Sequence, residues 1–378
     1  TDTIAPGDYT LTIDFTNDFD RTAAALFRLQ TGGRWYAYTQ FEAIDARKAF
    51  PCWDEPAFKF PWQVTLSIPA GQEAVSNTPI EKDASDHGVR TIVFAKTKPL
   101  PSYLIAMAVG PLEFVPIPGL RVPGRVVVPH GSTALATTAV AMTPPLFAAL
   151  EKWFGIPYPY EKLDLIAVPE FSPGAMENPG AITYGDRYLL FDEKTVSANA
   201  KRIFAVFTAH EMAHQWFGDY VTMKWWDDLW LNESFAEWMG VKIADQVYPA
   251  YRIPLNELGE MNGAFAVDAQ LATHAVRRPV KTMENLYEAA DELAYKKGQA
   301  VLVMTERWIG ADTFRKGVIA YLREHAFGSA EGADLWNALG RASGKDVPGV
   351  LASFLDQPGV PLVRADLKPG GEVELARL

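Results

Sequence analysis

The chain has 378 residues, 48% of them apolar and 21% charged, and a net charge of −11. Such a composition supports a large buried core in more than one domain. The acidic balance argues against a nucleic-acid surface and tolerates a cationic substrate. The single cysteine, Cys52, excludes an intrachain disulfide and a cysteine-built zinc cluster. No run reaches the ~18 uninterrupted apolar residues of a membrane helix. The nearest, Ala134 to Leu150, is broken by Thr137, Thr138, Thr143, Pro144 and Pro145. The first residue is Thr1, with no signal-like segment after it, so a targeting sequence is expected to have been removed or left out. Localisation and oligomeric state stay open.

Taken in chain order, Tyr9–Phe15, Val64–Ile68 and Arg90–Phe94 alternate apolar and polar residues and predict strands. Turn-rich pieces such as Pro69-Ala70-Gly71 and Asp86-His87-Gly88 separate them. Residues 1–118 are therefore read as a mainly antiparallel β domain. After Arg125–Pro129 the pattern turns helical and aromatic-rich as far as about Leu355, which marks a second domain over 119–360. A short strand, Pro361–Ala365, leads into Pro369-Gly370-Gly371 with no obvious partner, and opens a third piece, 361–378. The fold class is α+β.

The central signal is His210-Glu211-Met212-Ala213-His214. Residues 199–217 read as one helix, with Asn199 as a cap and Gly218 as a stop. Ile203, Phe207, His210, His214 and Phe217 share a face of it. The histidines then project side by side, about 6 Å apart along the axis. That arrangement suits two imidazoles on one zinc ion, with Glu211 turned to an activated water. A catalytic zinc needs a third protein ligand, and Glu233 follows His214 after 18 residues. Asn232 is read as the cap of the next helix, with Glu233 on its first turn. In isolation Glu233 could equally be a surface acid that complements the helix dipole. Trp225, Trp226 and Trp230 read as core filler. His87, His130, His274 and His325 lack metal spacing, and Asp54 and Glu55 read as part of a structural turn.

Two histidines, an 18-residue spacer and a glutamate, preceded by Gly174-Ala175-Met176-Glu177-Asn178, resemble the M1 family of zinc aminopeptidases. Phe154–Pro159, Lys162–Leu165, Gln40-Phe41-Glu42, Phe50–Pro56 and Tyr295 with Lys297-Gly298 fit the same pattern, so the resemblance covers essentially the whole chain. It implies a partial saddle-like β domain, a thermolysin-like, mainly helical catalytic domain, and the start of a truncated β-sandwich. It also implies one zinc ion per chain on His210, His214 and Glu233. Glu211 is expected to be the general base and Tyr295 the oxyanion donor. Glu42 and Glu177 are expected to hold the substrate ammonium, with Gly174, Ala175 and Asn178 along the peptide. Gln40 and Met176 are expected to help line the pocket for the first side chain. The implied substrates are peptides with a free N-terminus and a neutral or basic first residue; no nucleic acid or membrane partner is implied.

The chain departs from the family pattern at Pro173, Asp219, Ser234 and Gly240. At the last, relatives often place an acid supporting the zinc shell; Glu237 could substitute, although a solvated acid is the plainer reading. Relatives also continue into further domains, so the chain is expected to be a fragment. An epoxide hydrolase of similar site, a thermolysin-like endopeptidase and an inactive scaffold are the alternatives. The Gly-Ala sequence at 174–175, Glu42 and the intact ligand set weigh against them in turn.

Overall fold

Alternating apolar positions and tight turns shape the first part of the chain, and the computed structural model, which describes residues 5–377, arranges it as two antiparallel sheets. The strands are β1 (Ala25–Thr31), β2 (Arg34–Gln40), β3 (Thr65–Pro69), β4 (Glu73–Ser76), β5 (Ile80–Asp86), β6 (Val89–Phe94) and β7 (Met107–Gly110). They pair in the orders β1-β2-β7-β4 and β3-β6-β5. Gly32 and Gly33, at φ +54° and +74°, turn the chain between β1 and β2, a conformation that glycine adopts without steric cost. The strand predicted at Tyr9–Phe15 does not form. It has no ladder partner among the described residues, and Leu11 is 77% exposed. Alternation alone does not make a strand without a neighbour to bond.

β8 (Leu112–Pro116) and β9 (Gly124–Pro129) begin a second unit, followed by α1 (Thr137–Phe154), β10 (Leu163–Val168), β11 (Ala175–Met176) and β12 (Ala181–Gly185). These strands form one mixed sheet in the order β11-β12-β10-β9-β8, parallel at its centre and antiparallel at both edges. The helical reading after Arg125 overlooked it. All six residues of β10 are buried, and a strand covered on both faces shows a continuous apolar run instead of alternation. With its leading turn, the α1 region (Thr133–Phe154) is long and apolar enough by length and composition to cross a bilayer. Leu146, Phe147, Leu150 and Phe154 are nevertheless fully buried in the core, which explains the same composition.

The rest is helical: α2 (Asp186–Leu189), α3 (Ala198–His214), α4 (Leu229–Val247), α5 (Ile253–Asp268), α6 (Met283–Tyr287), α7 (Gly298–Ile309), α8 (Ala311–Glu324), α9 (Gly332–Ser343) and α10 (Val347–Leu355). α3 and α4 pack tightly at Gly240, where a Cβ would lie 3.0 Å from the Val206 carbonyl oxygen and 3.1 Å from His210 Cβ. The terminal strand does find a partner. Residues Val363–Leu367 pair with Val373–Arg377 as an antiparallel hairpin across the predicted Pro-Gly-Gly turn.

The β domain is bolted to the helical part by polar contacts. Lys59 Nζ donates to the carbonyls of Asp219 (2.8 Å) and Gly328 (3.1 Å) and to Thr222 Oγ1 (3.0 Å). Asn77 Nδ2 donates to the Pro179 carbonyl at 3.0 Å. Tyr103 packs on Trp226 with ring centroids 5.2 Å apart.

Candidate metal centre and cleft

α3 is capped by Ser197, not Asn199: Ser197 Oγ accepts from the Ala200 N–H at 3.0 Å. This helix carries His210 and His214 on its buried side, and their Nε2 atoms stand 3.0 Å apart. α4 brings Glu233 Oε2 to 3.4 Å from His210 Nε2 and 3.6 Å from His214 Nε2. Asn232 is not a cap. A 3-10 turn at Trp226–Asp228 starts the helix earlier, so Glu233 sits within it, one turn further in than predicted.

Three donors bound tetrahedrally to one ion at about 2.0–2.1 Å would be about 3.3 Å apart, which is the mean spacing seen here. The opposite ring nitrogens fix the tautomers. His210 Nδ1 meets Glu237 Oε2 at 3.1 Å and His214 Nδ1 meets the Phe217 carbonyl at 3.2 Å. Both Nδ1 atoms therefore carry the proton, and two Nε2 lone pairs and a carboxylate converge on one point. That donor set fits a zinc ion.

A cleft of about 550 Å³ opens over this point, lined by Glu42, Ala175, Glu177, Glu211 and Tyr295 among others. One carboxylate oxygen from each of Glu42, Glu177 and Glu233 lies within 4.8 Å of the other two. Burial pushes the Glu211 carboxyl up to about 8, with Glu177 and Glu233 adding to it against the pull of His210 and His214. Burial also raises Glu42, with Glu177, Glu233 and Glu211 adding to it, and raises Glu177, with Glu233 adding to it against the pull of His214 and His210. Glu177 Oε1 is buried without a protein donor. Four acids facing one cavity create a strong demand for positive charge.

Gly174, at φ +96°, turns the chain into β11, the edge strand of the mixed sheet. Ala175 and Glu177 line the cavity, whereas Asn178 is buried behind it, within 3.5 Å of Thr183 Oγ1. Gln40 and Met176 meet each other at 3.4 Å, and both are buried outside the lining. Tyr295 belongs to a π-helical turn, Leu293–Lys297, its ring nearly parallel to that of His210 at 6.3 Å and its hydroxyl in reach of Glu233. Such turns recur at functional sites.

Sequence reasoning missed Gln215. Its Nε2 donates to the Glu177 carbonyl (2.7 Å) and to Asp219 Oδ2 (3.0 Å), while its Oε1 accepts from Tyr158 Oη (3.0 Å) and the Gly180 N–H (3.2 Å). Its position directly after His214 was the available signal. Asp219 is buried and held well above the usual carboxylate range by that burial. Glu237 is not a solvated acid, since its side chain is 13% exposed and bonded to His210.

A buried His-His-Glu triad on two packed helices, beside a mixed sheet and under an acidic cleft, has the donor set of a metal centre. The Peptidase family M1 domain matches residues 138–354 and the Peptidase M1 N-terminal domain matches residues 1–104. The chain belongs to peptidase family M1. It is 40% identical over 337 residues to Aminopeptidase M1-A of Oryza sativa subsp. japonica, covering 88% of this chain and 38% of that one. Aminopeptidase 2 of Candida albicans is 38% identical over 97% of this chain and 40% of its own length. Leucyl aminopeptidase of Saccharolobus solfataricus is 34% identical over 92% and 44%. The chain thus spans about two fifths of the length of these relatives.

Proposed function

We propose that this chain carries the catalytic centre of a zinc-dependent aminopeptidase that hydrolyses the first peptide bond of peptides with a free N-terminus. One observation carries the reading: the cleft offers two adjacent places for positive charge. One is the His210–His214–Glu233 triad, the other the Glu42–Glu177 pair. The names of the relatives agree with it.

Zinc on the triad supplies Lewis acidity for water activation and for polarising the scissile carbonyl. Glu211 takes the proton of the attacking water and delivers it to the leaving amine. Tyr295 donates a hydrogen bond to the oxygen that gains charge in the transition state. Glu42 and Glu177 hold the ammonium, which places the first peptide bond at the reacting point. β11 offers backbone groups with which the peptide pairs as an added strand. The acidic cleft favours neutral or basic first residues over acidic ones. The domain reading of 1–118, 119–360 and a β-sandwich start at 361–378 belongs to the same proposal; the two family matches end at 104 and resume at 138, and β8, within 1–118, pairs in the sheet of the second unit.

The test is a panel of peptides with free and acetylated N-termini, assayed with zinc present, stripped and restored. Zinc-dependent release of single residues from the free peptides alone is expected. Cleavage of internal bonds, or equal rates on both sets, would overturn the proposal in favour of an endopeptidase.

A further inference from the structure

Glu237 lies one helical turn after Glu233 and has both carboxylate oxygens engaged. Oε2 meets His210 Nδ1 at 3.1 Å, and Oε1 accepts from Lys296 Nζ at 2.5 Å. Lys296 directly follows Tyr295 in the π-helical turn and also pairs with Glu257 (3.1 Å) and Glu260 (2.5 Å) of α5. We propose that Glu237 is a positioning residue that orients the His210 ring for the metal and anchors the turn bearing Tyr295. One side chain then sets the distance between the metal and the oxyanion donor. The inference rests on the roles given above to zinc and Tyr295.

Two further features support it. The contact of α3 with α4 at Gly240 is tight, since a Cβ there would lie 3.1 Å from His210 Cβ. Position 240 carries no acid here, and the carboxylate that meets His210 Nδ1 comes from position 237 of the same helix. On the other side of Tyr295, Ser234 Oγ donates to the Ala294 carbonyl at 2.5 Å. A Cβ on Gly298 would lie 1.8 Å from Ser234 Oγ, so that hydroxyl is wedged against the start of α7. Ser234 and Glu237, three residues apart on one helix, thus grip residues 294 and 296 and bracket Tyr295 between them. The side chains of Glu237 and Lys296 are each 13% exposed, so neither tie is a loose surface pair.

Glu237→Gln is isosteric but cannot serve both partners, because its single amide oxygen accepts from His210 or from Lys296 and its NH₂ faces the other. Zinc affinity, read by competition with a chelator, is expected to fall about 10–100-fold. The visible spectrum of the cobalt-substituted protein should shift as the imidazole reorients. At saturating zinc, kcat should fall about 10-fold with KM within about 2-fold. That kcat effect should shrink below about 2-fold when Tyr295→Phe is already present, because the two changes act on one interaction. Glu237→Asp, too short to span both partners, gives the same pattern on a second variant. Unchanged zinc affinity and spectrum would overturn the link to His210. A kcat loss that persists undiminished beside Tyr295→Phe would overturn the link to Tyr295. The metal readouts use no substrate, so they hold even if the aminopeptidase reading fails on the peptide panel.

Discussion

Removing the charge of Glu177 while keeping its shape tests the proposed ammonium site directly. Glu177 is 4% exposed, and one of its oxygens lacks a protein donor. Its carboxylate lies in the group with Glu42 and Glu233 whose oxygens are within 4.8 Å of one another. An ammonium placed there gains a charge-assisted hydrogen bond of about 1.5–3 kcal/mol. Direct attraction at 4 Å is about 4 kcal/mol at an effective dielectric of about 20, and desolvation offsets part of it. Glu177→Gln keeps a neutral acceptor, so the net loss should be about 2–4 kcal/mol. That corresponds to roughly a 30- to 1000-fold fall in kcat/KM on free peptides. Acetylated peptides carry no ammonium, and the variant should cleave them as slowly as the parent protein does. The ratio between free and acetylated substrates, at least about 10² for the parent, should therefore collapse towards unity. Initial rates on matched peptide pairs near pH 7, where the α-amino group is mostly protonated, give that ratio. An unchanged ratio, or an equal loss on both substrates, would refute the placement of the ammonium.

Three other outcomes are expected. Glu211→Gln should retain zinc by metal analysis and lower kcat by about 10²–10⁴, whereas His214→Phe should lose the metal. Tyr295→Phe should lower kcat by about 10²–10³ with little change in KM, because its hydrogen bond matters mainly in the transition state. Asp164, 1% exposed, accepts from Arg125 (2.8 and 3.0 Å) and from buried Lys162 (2.8 Å). Burial alone would raise its pKa, but Lys162 and Arg125 hold it below the usual value. Asp164→Asn should destabilise the fold by about 3–5 kcal/mol in urea titrations at pH 7. A depressed pKa stabilises above the unfolded value and ceases to do so as pH falls through the folded one. The difference between Asp164→Asn and the parent should hold from pH 7 to about 5 and shrink below about 4; a constant difference would deny the ionic role.

The zinc helix was legible because its signal is periodic and local. His210 and His214 share one face whatever surrounds them, and Glu233 was marked by its spacing. Its depth within α4 was not, because a 3-10 turn lengthened the helix at its start. β10 was hidden by its own burial, and Tyr9–Phe15 misled because alternation says nothing about a partner. Ser234, Glu237 and Lys296 were illegible as a group, because their contacts depend on how closely α4 meets α3 and the π-helical turn. Gly240 was noted as an absence of an acid, and only packing shows it as a point of contact. Gln40 and Met176 were brought together, 3.4 Å apart and both buried.

The seam between the β domain and the helical part runs through the cleft itself. Glu42 comes from one side of it, and Glu177 and the triad from the other. Lys59 reaches across to carbonyls of the loop that follows the zinc helix, and Asn77 to the one that follows Asn178. Neither part alone supplies all the residues that line the cleft. A gene rearrangement that shuffled the helical part onto another β domain would carry along His210, His214, Glu233 and Glu177 but leave Glu42 behind.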